Sequence, residues 1–145
     1  EEIMEEYKGT KETEATMKVK SDKLKSELDS LIANWQNKAK VYQDGAQKMS
    51  AKARQDREQA LMQEQQQISQ RQQTIQQQVQ TEGQESLQSL SDEINDFVKT
   101  YAKEKGYNFI LGTTSSSGTV MYGEESADLT DDVLVQLNKS YKSKE

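Results

Sequence analysis

The chain has 145 residues, of which 32 % are hydrophobic and 30 % charged, with a formal net charge of −6. An apolar share well below the ~45–50 % of a compact globule predicts an elongated shape with one small packed region. Cysteine and histidine are absent, which excludes disulfides, thiol nucleophiles, imidazole acid–base chemistry and the usual zinc ligands.

Proline is also absent, which permits very long helices. No apolar run approaches the ~20 residues of a membrane-spanning helix. The chain opens at Glu1 without an initiator Met, which reads as a mature or trimmed product whose signal peptide is gone.

From Leu24 the apolar residues fall at Leu28, Leu31, Trp35 and Tyr42, and Met49 continues this coiled-coil register. The Asp44-Gly45 step is a turn signal, so a first long helix should end near residue 43. A second helical pattern starts near Ser50, with Leu61, Ile68 and Ile75 each seven apart. Val79, Leu87, Leu90, Ile94, Phe97, Val98 and Tyr101 extend it towards a left-handed glycine cap at Lys105-Gly106. Eleven of the eighteen residues in 63–80 are glutamine, a good helix former, so this segment reads as a returning arm with a thin seam.

The period then changes. Residues 107–112 alternate Tyr107, Phe109 and Leu111, residues 118–123 place Val120 and Tyr122 on one face, and TTSSSG lies between them, which reads as a β-hairpin. A terminal helix is expected over 129–141, with Thr130 as N-cap, Asp131 and Asp132 at the positive dipole end, and Val133, Leu134 and Leu137 facing inward. The expected fold is α+β, with three parts. Residues 1–17 enter the base, residues 18–86 form an antiparallel helical hairpin with its tip near 44–52, and residues 87–145 complete the base. Two strands and a short helix bury too little surface to stand alone, so the base should self-associate.

Charge follows this plan. Residues 18–57 carry ten Lys/Arg and five Asp/Glu, whereas residues 81–145 carry six and twelve. Lys38, Lys40, Lys48, Lys52, Arg54 and Arg57 cluster at the tip. They are either a solvated helix surface or an electrostatic contact to an anionic partner or membrane surface. Nucleic acid fits poorly, since the chain is acidic overall and the tip offers no aromatic stacking beyond Tyr42. The acidic stretch Glu124, Glu125, Asp128, Asp131 and Asp132 lacks EF-hand spacing and reads as a loop leading into a helix N-terminus. No catalytic, cofactor or metal constellation emerges. Trp35 lies halfway along a polar arm. It either packs on the second helix near Ile68 or lines a surface that meets something else.

Residues 94–141, EINDFVKTYAKEKGYNFILGTTSSSGTVMYGEESADLTDDVLVQLNKSY with its closing A-D-L-T-D-D-V-L-x-x-L-N, closely resemble the carboxyl-terminal signature of the Skp/OmpH family of periplasmic chaperones. The opening EEIMEEY resembles the family segment that follows its first strand, a strand absent here, and the long polar hairpin fits in length and style. The resemblance implies a periplasmic homotrimer in which helical-hairpin tentacles on a β-containing hub hold unfolded outer-membrane proteins in a cavity without ATP. Phe97, Tyr101, Phe109, Leu111, Val120 and Tyr122 would then build the trimer hub, and Trp35, Tyr42, Met49, Leu61 and Met62 would offer apolar client contacts. No lipopolysaccharide site carries over, because the corresponding region holds Gln70, Gln80 and Thr81. The competing class is a structural coiled-coil spacer or adaptor.

Overall fold

The structure is a computed structural model that describes residues 1–114 and 120–142. It contains helices α1 (Glu2–Glu6), α2 (Lys8–Gly45), α3 (Ala51–Lys105) and α4 (Thr130–Ser140), with 3-10 turns at Ala46–Lys48 and Glu125–Ala127. The chain divides into two compact units. Unit 1 gathers Glu1–Met17 and Gly83–Glu145, unit 2 is Lys18–Glu82, and α2 and α3 contribute to both.

In unit 2 the Asp44-Gly45 step does not turn the chain. Gly45 keeps right-handed backbone (φ −105°, ψ −11°), so α2 runs two residues past the expected end. The reversal uses the 3-10 turn and an extended Met49 (φ −90°, ψ 150°). Ser50 then caps α3, its Oγ accepting the Ala53 amide at 3.2 Å. The half-buried apolar side chains of α2 in this unit are Leu24, Leu28, Ile32, Trp35, Ala39 and Tyr42. Leu31, expected in this seam, is 42 % exposed and Ile32 takes its place. A straight 3.6-residue helix drifts against a 3.5-residue repeat, which moves the seam by one position. On α3 the covered positions are Leu61, Glu64, Ile68, Arg71, Ile75, Gln78, Val79 and Glu82, a mixture of apolar and polar, and only Ile75 is buried, at 9 % exposure.

Unit 1 is packed around Tyr7, Leu90 and Leu137, all buried, with Ile3, Met4, Ile94, Phe97, Leu134 and Tyr141 against them. Tyr7 separates α1 from α2 because its backbone is extended (φ −65°, ψ 131°) and its carbonyl accepts the Thr10 and Lys11 amides. The first amide of α2, Lys8 N–H, finds no partner inside its helix and donates to Asn138 Oδ1 of α4 at 2.8 Å. The end of α3 follows the sequence. Gly106 is left-handed (φ 78°) and the Tyr107 amide reaches back to Ala102 O at 2.9 Å. At α4 the cap differs from expectation. Thr130 is already helical, and Asp128 Oδ1 accepts its amide at 2.9 Å in an Asx turn. The Thr130 side chain first, and this amide bond second, hold the Asp128 carboxyl below its usual range.

The α+β expectation and its β-containing hub are not met: among the described residues there is no strand. Residues 107–112 and 120–123 are irregular, and 118–119 lie outside the described residues. The alternation at Phe109 and Leu111 is present in the sequence, yet the two residues are 85 % and 67 % exposed, and Tyr122 is 84 % exposed. A period of two reports which side chains share a face. It does not supply the third strand or covering helix that a two-stranded hairpin needs to hold in water.

Candidate functional site

The six tip cations are all exposed. Lys38 and Lys40 lie on α2, Lys48 in the 3-10 turn, and Lys52, Arg54 and Arg57 on the first two turns of α3. Lys38 Nζ pairs with Glu64 Oε1 at 2.6 Å, whereas no ion pair involves the other five among the described residues. Lys52 and Arg54 sit in the first turn of α3, at the positive end of the helix dipole, with no acidic residue beside them in that turn. Each such placement costs about 0.3–1 kcal/mol at an exposed site. These charges therefore work against the helix that carries them.

Trp35, Tyr42, Met49 and Leu61 are half-buried, and Met62 is exposed. Trp35 meets the second helix at Leu61. Its Nε1–H donates to the Leu61 carbonyl at 2.9 Å. The Tyr42 hydroxyl donates to Glu58, and that bond pushes its pKa up. Trp35, Tyr42 and Leu61 lie at the join between the two arms of unit 2, each leaving part of its surface in water.

The sequence reading missed a polar ladder across the same join. Lys20 pairs with Glu82 at 2.5 Å, Glu27 with Arg71 at 3.5 Å, and Lys38 with Glu64 at 2.6 Å. The Lys20 contact, followed by the Gln78 amide, holds the Glu82 carboxyl below its usual range. The signal was available, because Glu64, Arg71 and Gln78 repeat every seven residues just as Leu61, Ile68 and Ile75 do. A search for apolar heptads passes over them. Exposed ion pairs contribute only about 0–1 kcal/mol each, so the ladder fixes register more than it adds stability.

In unit 1 the six proposed hub residues separate into two groups. Phe97 and Tyr101 are already used inside the chain. The Tyr101 ring stacks near Phe97 (6.4 Å) and Tyr107 (6.2 Å), with Lys105 Nζ 5.7 Å from its centroid. Its hydroxyl donates to Asp132 Oδ2 at 2.5 Å, which pushes the Tyr101 pKa up to about 12 and holds the Asp132 carboxyl down. Phe109, Leu111, Val120 and Tyr122 are exposed, as is Met121 between the last two. Neighbouring apolar residues left in water on this scale are the usual mark of a protein-binding surface.

Compared with known families, residues 1–137 match the family model described as outer membrane protein (OmpH-like). No individual curated protein matches the chain.

Proposed function

Because the chain belongs to the OmpH-like family, whose members are chaperones of the periplasm and not enzymes, we propose that it is an ATP-independent holdase. It binds unfolded outer-membrane proteins in a cavity between the arms of a homotrimer and keeps them from aggregating in transit. The observation that carries this reading is the join between the arms of unit 2. Its apolar side chains are mostly half-covered and polar positions lie among them, so it presents Trp35, Tyr42 and Leu61 without sealing them away, and Met62 is exposed. Weak grip at many points, without sequence choice, is what an unfolded client requires. The exposed apolar residues at 109–111 and 120–122 support self-association through unit 1. The exposed tip cations, two of them set against the dipole of α3, support a role in drawing in anionic clients or membrane surfaces.

The test dilutes an unfolded outer-membrane barrel protein from urea into a several-fold excess of this protein and follows turbidity. Suppressed turbidity is expected. Turbidity equal to the protein-free control leaves the coiled-coil spacer as the better reading. Light scattering on a sizing column should give a trimer, and a monomer removes the enclosed cavity. Replacing the six tip cations by glutamine should slow capture at low salt. Unchanged capture rates there would assign those residues to solvated surface.

A further inference from the structure

The glutamines of α3 are arranged, and their arrangement is not needed to hold the arms together. With Leu61, Ile68 and Ile75 facing the first arm, Gln63, Gln66, Gln70, Gln73, Gln77 and Gln80 fall at steps of three and four on the outward face, and all six are exposed. This stripe runs about 25 Å along the helix. None of its six side-chain amides bonds to another group among the described residues. The only charged residues in 63–80 are Glu64 and Arg71, and both are turned to the first arm, pairing with Lys38 and Glu27. The outward surface is therefore a continuous row of neutral groups, each with one acceptor and two donors to spare.

We infer that this stripe holds an extended, unfolded polypeptide by its backbone, an inference that rests on the holdase reading and names the chemistry of its grip. The charge balance selects the occupant. Phosphate-bearing partners or a charged helix would find no counter-charge here, whereas peptide groups are themselves neutral donor–acceptor pairs. A second copy of the arm is a poor occupant, because the stripe has no apolar side chain to bury and stable interfaces need an apolar core. Amide–amide bonds at a wet surface exchange against water and are individually weak. Six in a row give a hold that depends on extended backbone and on no particular sequence, and that releases one bond at a time.

The experiment uses the full chain and two uncharged peptides of one apolar sequence, one with alternate backbone nitrogens methylated. The parent should bind the unmethylated peptide about tenfold more tightly, a difference of about 1.4 kcal/mol. The variant Q63A/Q66A/Q70A/Q73A/Q77A/Q80A should show no preference, while its helicity holds because alanine is the better helix former. Should the six-fold variant fold poorly, Q66A/Q73A should lose part of the preference. An unchanged preference in the variants overturns the inference, as does a parent that suppresses barrel aggregation yet ignores methylation. A parent that neither binds the peptides nor suppresses aggregation fails the holdase reading itself. Altered sedimentation of the variant with unaltered peptide binding would make the stripe a contact between copies.

Discussion

Two glycines of unit 1 should answer the same substitution with opposite signs. At Gly83, inside α3, an added Cβ has no atom within 4 Å, so Gly83→Ala should stabilise by about 0.5–1 kcal/mol through the lost freedom of the unfolded chain. At Gly9 the same Cβ runs into the Tyr7 ring, 2.7 Å from Cζ and 3.0 Å from the hydroxyl oxygen. That ring has nowhere to go. It is 1 % exposed, edge-on to Tyr141 at 5.4 Å, and its hydroxyl is bonded to Glu93. Overpacking costs about 1–3 kcal/mol, and losing the bond to Glu93 adds about 1 kcal/mol or more. Offset by the helical gain, Gly9→Ala should destabilise unit 1 by about 2 kcal/mol, or roughly 10 °C in Tm for a unit of this size. Urea titrations followed by the near-ultraviolet circular dichroism of the buried tyrosines measure both. A Gly9→Ala protein as stable as the parent would refute the claim that Tyr7 is locked.

Three further outcomes are expected. Tyr7 is raised, first by burial and then by Glu93, and Tyr101 is raised to about 12 by Asp132. Their folded values exceed the usual ~10, so their stabilisation is full below about pH 10, and that of Tyr101 is lost as pH rises through about 12, that of Tyr7 at higher pH still. Urea midpoints between about pH 9 and about pH 11 should fall, and Tyr101→Phe should flatten the slope. Asp132 acts in the opposite direction, since its depressed carboxyl contributes stability above about pH 4 that is lost in acid. Ile75→Ala removes the one buried side chain of the unit 2 seam and should cost about 2 kcal/mol, read as faster hydrogen exchange of the amides around residue 75. Raising salt towards 1 M should shift unit 2 stability by no more than about 2 kcal/mol, because its three cross-arm ion pairs are exposed. A larger loss, measured in the same urea titration, would mean that the ladder holds the arms together.

The long helices were legible because their signals are local. The heptad of Leu61, Ile68 and Ile75, the missing prolines and the cap at Gly106 each act within a turn or two of chain. That 107–112 and 120–123 stay irregular was not legible, because alternation specifies a face and says nothing of whether another strand arrives to cover it. The exchange of Leu31 for Ile32 came from helix drift, which a fixed seven-residue template cannot follow. At the candidate site the partners of the side chains were hidden. Trp35 points to the opposite arm as one alternative had it, but its partner is a backbone carbonyl, which carries no sequence signal. Glu64 and Arg71 looked like filler among glutamines until their counterparts on α2 came into register.

Trp35 is the only tryptophan of the chain and belongs to unit 2, whereas Tyr7, Tyr101 and Tyr141 belong to unit 1. Light absorbed by indole alone is therefore emitted from one unit. Because that indole is tied to the Leu61 carbonyl, parting of the arms breaks the bond and wets the ring, and the emission moves to longer wavelength. The protein carries its own optical label for arm opening. With a client that lacks tryptophan, engagement of the arms can be timed in an unlabelled sample.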